Sequence, residues 1–259
     1  MEYQIIEYPN GIRAVLKRTK SPVVYSAITF GAGSGDELPG EEGIAHFIEH
    51  MFFKGTLRRK QYHINALLDN VGGELNAYTT KEETVIHSTV LKGDFAKAVD
   101  LIHDVAFNSI FDNKEIEKEC AVILDEINSY KDSPSDQIFD DFEDLVFAGS
   151  SLGHPILGSK RSLATFNTDK LRVFMDRCYN SDKIVFSVIG NVTFDRFKSL
   201  MDKSFSDLPS NPRAWSRPEL STYVPKTVEV SKKTYQCHVM IGNRAYNHTD
   251  TNRVALALL

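Results

Sequence analysis

The chain has 259 residues, of which 42% are hydrophobic and 25% are charged, and this composition is typical of a folded globular protein rather than a disordered one. Its formal net charge of −5 and the lack of a long lysine or arginine run argue against a nucleic-acid-binding protein. We also expect a cytoplasmic protein without membrane contact, because no stretch approaches the ~20 apolar residues that cross a bilayer and no signal peptide is visible.

The pattern of apolar and turn residues predicts alternating strands and helices along the chain. Runs rich in β-branched and aromatic residues predict strands at 3–8, 12–18, 23–30, 74–79, 84–91 and 183–189. Helical spacing predicts helices at 43–54, 61–71, 94–108, 113–131, 136–147, 168–178 and 194–205. Asn10-Gly11 predicts a hairpin turn between the first two strands, and Pro134 is expected to end the fourth helix.

Four prolines between residues 207 and 225 predict a linker. The chain is therefore expected to contain a full domain at 1–207, a linker at 208–225, and the truncated start of a second, homologous domain at 226–259. In the last part we expect strands at 227–231 and 235–241 and a helix from Thr251. The predicted fold class is α/β (α+β), a two-layer mixed sheet packed with helices. The alternative is a final helix that docks on the first domain.

Cysteine usage gives no sign of a disulfide framework or a cysteine-rich metal site. The three cysteines, Cys120, Cys178 and Cys237, are odd in number and far apart in the sequence. We expect them to be free thiols in a reducing compartment.

Residues 46–50 read His-Phe-Ile-Glu-His and carry the strongest chemical signal. On a helix, His46 and His50 lie on one face about a turn apart, so both imidazoles can reach one ion. Neutral imidazole suits Zn²⁺, and Glu49 lies beside the same face, where it can accept a proton from an activated water. This order of residues is the inverzincin signature. A pair of surface histidines is the alternative for the pentapeptide alone.

A catalytic zinc needs a third protein ligand, and the predicted helix at 113–131 offers several carboxylates. Glu119 and Glu126 are seven residues apart and share one helical face. The segment between them is mostly apolar, and a buried carboxylate needs a partner. The alternative is that these acids face solvent, and the residues alone do not decide between the two.

Several ordered motifs together resemble the pitrilysin/insulinase family of zinc metallopeptidases, and the resemblance is strongest to its short branch similar to the mitochondrial processing peptidase. They lie at 43–56, 73–79, 83–85, 119–127, 154–158 and 179–191. The resemblance implies a third zinc ligand about 76 residues after the second histidine. Because 126 − 50 = 76, it assigns this role to Glu126 and a supporting role to Glu119.

The resemblance also implies how a peptide binds. The family lays an extended peptide along an edge strand, which corresponds to 74–79 here, with Asn76 and Ala77 offering backbone hydrogen bonds. Phe53 corresponds to an aromatic wall for the residue after the scissile bond, and Tyr78 is a further candidate. Plain core packing is the alternative for both aromatic residues. His154 is expected to have a structural role.

We therefore predict a zinc metalloendopeptidase with one Zn²⁺ per chain and Glu49 as general base. The resemblance further implies a clamshell of two halves around the peptide, completed in the same chain or by a homo- or heterodimer partner. Active members of the family carry an Arg/Tyr pair in the later half, near the substrate carbonyl. No residue of this sequence is assigned to that pair. The alternatives are a non-catalytic scaffold or partner subunit and a structural zinc module. Structural zinc sites use four protein ligands, whereas this pattern offers three protein ligands and a general base, which favours a catalytic site. The identity of the ligands alone does not exclude Mn²⁺ or Co²⁺ in place of zinc.

Overall fold

The computed structural model describes residues 3–220, 222–232 and 235–259. Within these residues a single six-stranded mixed sheet forms the centre of the fold. Its strands are β1 (Gln4–Glu7), β2 (Arg13–Arg18), β3 (Val23–Phe30), β4 (Glu74–Thr79), β5 (Thr84–Leu91) and β6 (Ile184–Gly190). They lie in the order β1-β2-β6-β3-β5-β4, so β4 is an edge strand. Only the β2–β6 pair is parallel.

All the described helices but the last form a layer on one face of the sheet, and the last has no buried residue. The helices are α1 (Ile44–Met51), α2 (Gln61–Asp69), α3 (Phe95–Phe107), α4 (Asn113–Lys131), α5 (Pro134–Val146), α6 (Lys160–Leu163), α7 (Thr168–Cys178), α8 (Phe194–Phe205) and α9 (Arg253–Ala257). Helix α3 contacts β3, β5 and α8, and α1 contacts β4, α4 and α7. The predicted two-layer α/β fold is therefore confirmed.

Alternation along each strand explains the two layers. In β3, Val24, Ile28 and Phe30 are buried against the helices, whereas Tyr25 on the opposite face is 53% exposed. The same alternation in β6 leaves Ile189 45% exposed. Because successive side chains of a strand point to opposite faces, the apolar core lies between the sheet and the helices.

The hairpin predicted at Asn10-Gly11 is present, although its connection is longer than a two-residue turn. Strands β1 and β2 are antiparallel with Glu7 opposite Arg13, so five residues connect them. Gly11 has φ +93°, which favours glycine. The Asn10 side chain is buried and donates to the carbonyls of Phe205 and Leu208, 2.8 and 3.0 Å away. The turn thus also anchors the end of α8.

Two sequence predictions need correction. Pro134 does not end α4, which stops at Lys131. It begins α5 instead, because the first position of a helix does not need the backbone N–H that proline lacks. The strands predicted at 227–231 and 235–241 are wrong for the described residues. Their apolar side chains are exposed, and a strand forms only where a neighbour accepts its backbone hydrogen bonds; residues 233 and 234 lie outside the description.

The proline-rich segment 208–225 contains no helix or strand in its described residues. It nevertheless contacts the domain, since Trp215 packs against the core and donates its indole N–H to the carbonyl of Arg177. None of the described helices has the length and apolar character needed to cross a membrane.

Candidate metal centre

Helix α1 presents a polar face that bears His46, Glu49 and His50. Its remaining positions, including Phe47 and Ile48, are fully buried in the core. This apolar anchoring fixes the rotation of the helix, and the 3.6-residue period then places the three polar side chains together on the other side. The predicted common face of the two histidines is therefore present.

Helix α4 supplies the carboxylates. Its start is capped by Asp112, whose side chain accepts from the N–H of Lys114 at 2.8 Å. Its buried stripe consists of Ile116, Glu119, Ile123 and Ile127. Glu119 thus occupies a core position, and the packing of α4 on α1 points it toward the histidines. Glu126 lies two turns further along and is half-buried.

Three ligand atoms converge between the two helices. The Nε2 atoms of His46 and His50 lie 3.9 and 3.7 Å from Oε2 of Glu126, and the three residues offer ligand atoms that all lie within 4.8 Å of one another. A tetrahedral ion with bonds of about 2.1 Å separates its ligands by about 3.4 Å. The two nitrogens and the oxygen therefore fit a zinc ion after a small contraction.

Glu119 fixes the orientation of His50. Its Oε1 accepts from Nδ1 of His50 at 2.8 Å, and its Oε2 pairs with Nζ of Lys54 at 2.5 Å. Burial alone would raise the pKa of Glu119, but the hydrogen bonds from His50 and Lys54 outweigh it and hold the pKa below its ordinary value. The ionised carboxylate keeps the proton of His50 on Nδ1, which leaves Nε2 as the free lone pair toward Glu126.

His46 is a neutral donor at physiological pH. Burial, together with the nearby His50, lowers the pKa of His46 to about 3. Its Nδ1 atom is buried and has no hydrogen-bond partner among the described residues. Such a histidine is costly to protonate, and a neutral imidazole is the form that binds a metal ion.

Glu49 is held beside the ligands without belonging to them. The hydroxyl of Thr79 at the end of β4 donates to Oε2 of Glu49 at 2.6 Å. Burial raises the pKa of Glu49, and the hydrogen bond from Thr79 offsets part of this rise. A carboxylate whose pKa is moved toward neutrality is a suitable general base.

A cleft of about 220 Å³ opens over these side chains. Its lining residues are His46, Glu49, Ala77, Tyr78, Thr79, Glu126, Tyr130, Asp140, Ile156 and Leu157. Gly43 and Gly158 pack against each other at its rim. A Cβ on Gly43 would meet the Leu157 carbonyl at 2.7 Å, and one on Gly158 would meet the Glu42 carbonyl at 2.2 Å. The two glycines therefore allow the 154–158 loop to contact the start of α1.

The substrate-binding residues predicted from the resemblance divide into two groups. Ala77 and Tyr78 line the cleft on the edge strand β4. Asn76 is exposed on the same strand, and its Oδ1 accepts from the N–H of Ala77 at 2.8 Å. Phe53 packs against the core and does not line the cleft. The loop residue His154 contributes its backbone carbonyl to the Lys81 ammonium.

Sequence reasoning missed four contributors to this site. Thr79 and Lys54 bind the carboxylates of Glu49 and Glu119, and Tyr130 and Asp140 line the cleft. Thr79 and Lys54 are each in a quoted motif, but nothing in their spacing indicates their partners. The signal for Tyr130 was its position one turn after Glu126 on the same helix.

Comparison with known proteins identifies the family. Residues 13–160 match the family model "Insulinase (Peptidase family M16)", and residues 165–259 match "Peptidase M16 inactive domain". The chain is 38% identical over 238 residues to the uncharacterized zinc protease YmxG of Bacillus subtilis, covering 90% of this chain and 57% of the relative. It is 37% identical over 222 residues to an uncharacterized zinc protease of Rickettsia bellii, and this match covers 86% of this chain and 53% of the relative. The chain thus spans little more than half the length of these relatives.

Solved structures agree on the fold. A protease from Helicobacter pylori superposes with a TM-score of 0.78 at 21% identity, covering 85% of this chain and 53% of that one. The periplasmic protease PqqL from Escherichia coli superposes with a TM-score of 0.76 at 23% identity, covering 83% of this chain and 25% of that one. Identity at this level supports the fold alone. From the match of the family model and the identity to the curated zinc proteases, the chain belongs to the insulinase family, peptidase family M16.

Proposed function

We propose that this chain is the zinc-binding half of a metalloendopeptidase that hydrolyses extended peptides. The observation that carries the proposal is the convergence of His46, His50 and Glu126 beside an open cleft, which His46 and Glu126 line. Three protein ligands beside a solvent-accessible cleft are typical of a catalytic zinc site, whereas structural sites are closed by four. One Zn²⁺ per chain fits this donor set.

The ion would supply Lewis-acid activation of water and of the peptide carbonyl. The protein's own contribution centres on Glu49. Thr79 fixes one of its oxygens, so the other can take the proton of the attacking water and pass it to the leaving amine. Glu119 keeps His50 in the tautomer that presents Nε2, and Lys54 compensates the buried charge of Glu119.

The edge strand β4 is the proposed binding site for the peptide backbone. An edge strand offers unpaired backbone groups, and an extended peptide can add to it as a further strand. We assign Asn76 and Ala77 to these contacts. The incoming peptide carbonyl replaces the Oδ1 atom of Asn76 on the N–H of Ala77. Tyr78 is assigned to a neighbouring side chain of the peptide. The role of Phe53 as a wall for the residue after the scissile bond stays a prediction from the resemblance, since Phe53 packs against the core and does not line the cleft.

Two halves enclosing the peptide would complete the enzyme. The match covers only 57% and 53% of the two relatives and 25% of the solved PqqL chain, which supports a second half in the same polypeptide or a partner. We propose that residues 1–207 form the zinc-binding domain, 208–225 a linker, and 226–259 the start of the second domain.

Metal analysis tests the proposal directly. Purified chain should hold about one zinc ion, as measured by elemental analysis, and Glu126→Gln should lose it. Asp125→Asn is the matched control, because Asp125 is the exposed neighbour on the same helix. Loss of zinc in the Asp125 variant and its retention in the Glu126 variant would disprove the ligand assignment. A wild-type chain without metal would favour the scaffold alternative.

The general-base role needs a separate test. In the full-length protein, Glu49→Gln should retain zinc and lose peptide hydrolysis, since the amide cannot accept the proton. Hydrolysis above the metal-free background in this variant would contradict the assignment of Glu49.

A further inference from the structure

The proline-rich segment 208–225 is bound to the first domain at three side chains. The Arg213 guanidinium donates to the carbonyl of Gly31 at 3.0 Å, and Trp215 donates to the carbonyl of Arg177 at 3.1 Å. Arg217 makes the most contacts of the three. The part of the segment around these residues is therefore a fixed strap across the domain rather than a free tether.

Arg217 binds a buried carboxylate. Its Nε donates to Oδ1 of Asp36 at 2.6 Å and its Nη2 to Oδ2 at 2.9 Å. The Asp36 side chain is 0% exposed, and its Oδ2 also accepts from the N–H of Gly33. A bidentate pair with a carboxylate removed from water is stronger and more directional than a surface ion pair.

The same guanidinium also reaches the turn between β4 and β5. Its Nη1 donates to Oε1 of Glu82, and its Nη2 donates to the carbonyl of Glu82, both at 2.9 Å. One side chain therefore joins two segments that are far apart in sequence, the loop at 33–43 and the turn at 80–83. The planar fork of arginine allows this geometry, whereas lysine offers a single point charge.

Each of these segments leads directly into the proposed site. Glu37, the neighbour of Asp36, accepts from the N–H groups of Gly43 at 2.9 Å and Ala45 at 3.1 Å. These amides form the first turn of α1, which otherwise has no side-chain cap. His46 is the next residue. The β4–β5 turn follows Thr79, which holds Glu49.

We propose that Arg217 is a positioning residue for the metal centre. It holds the start of the helix that bears His46 and the end of the strand that orients Glu49. This inference rests on the proposed function for the role of those two residues. Because Arg217 lies outside the domain proposed at 1–207, the strap extends the site's supporting structure into the connecting segment, and displacement of the strap loosens both walls of the cleft.

Hydrogen exchange of the metal-free protein tests the proposal without any activity assay. The 259-residue chain is kept in chelator, and exchange is followed by mass spectrometry in peptides that cover residues 43–52 and 74–83. Arg217→Gln should exchange faster in both regions than the wild type, with Arg217→Lys in between. Lys198→Ala is the control, since it breaks an exposed ion pair on α8 and should leave both regions unchanged.

Zinc affinity provides the second readout. Competition with a chromogenic chelator, at a temperature where all variants are folded, should show affinity about tenfold lower for Arg217→Gln, the lower end of the usual range for residues that support metal ligands. If Arg217 acts through Asp36, the two substitutions should not be additive. The double variant Arg217→Gln/Asp36→Asn should then lose measurably less zinc-binding free energy than the sum of the losses in the two single variants.

A purely structural role gives a different result. Arg217→Gln would then lower the melting temperature while exchange at 43–52 and zinc affinity stay at wild-type values, and this outcome overturns the proposal. If Arg217→Gln does not fold, the lysine variant decides by the same criteria. A wild-type chain that binds no zinc would refute the proposed function, whereas the exchange experiment would still decide the role of Arg217.

Discussion

Replacing Glu119 with glutamine tests the support of the metal ligands while keeping the side-chain shape. The Glu119 side chain is 5% exposed, accepts from Nδ1 of His50 at 2.8 Å and pairs with Lys54 at 2.5 Å. The amide oxygen can still accept from His50, but the negative charge is lost. We expect weaker zinc binding, because a neutral partner makes the His50 imidazole a poorer donor to the metal.

The size of the effect follows from these two contacts. Loss of a carboxylate partner of a metal-bound histidine lowers metal affinity about 10- to 100-fold. Because one hydrogen bond to His50 survives in Glu119→Gln, the expected loss is nearer tenfold, or about 1.4 kcal/mol. The Lys54 side chain is only 19% exposed, and the loss of its partner should also lower the stability of the metal-free chain.

Competition titration with a chromogenic chelator measures the affinity, and thermal unfolding in chelator measures the stability. Glu117→Gln is the matched control, since Glu117 is exposed two residues earlier on the same helix. It should change neither quantity. Zinc affinity of Glu119→Gln within twofold of the wild type would refute the argument that the His50–Glu119 contact tunes the metal site.

Three further predictions concern other parts of the chain. In the full-length protein, Thr79→Val should keep the zinc content but lower kcat for peptide hydrolysis at least about tenfold, because Glu49 loses its orienting hydrogen bond. An unchanged kcat would contradict this. Burial lowers the pKa of His103, so the unfolded chain binds the proton more readily and the free energy of unfolding in chelator should rise as pH rises through about 6.5. His103→Gln should reduce this rise, to which the buried His46 also contributes, and the exposed control His63→Gln should leave it unchanged, as measured by urea unfolding between pH 5 and 7.5. Burial raises the pKa of Cys178 to about 12, so at pH 8 a thiol reagent should modify exposed Cys237 first and Cys178 only after denaturation; rapid labelling of native Cys178 would contradict its burial.

Local sequence patterns predicted most of the secondary structure. The helix at 113–131 and the strands at 74–79 and 84–91 agree with the structure at both ends. Each of these elements has an unbroken pattern of apolar residues between clear turn or capping residues. The strands expected at 227–231 and 235–241 had the same local pattern but do not form among the described residues, because strand formation depends on a partner that local sequence does not specify.

The face shared by His46, Glu49 and His50 was also determined by the sequence alone, since a helix places residues three and four apart side by side wherever it packs. The selection of Glu126 among the acids of its helix needed the family resemblance. Only the tertiary structure decided which residues support this site. Thr79 donates a hydrogen bond to Glu49, Lys54 pairs with Glu119, and Arg217 of the proline-rich segment binds Asp36. These contacts join residues 30, 65 and 181 positions apart. No periodicity reaches over such distances, so only the tertiary packing of helices, strands and the proline-rich segment brings these residues together.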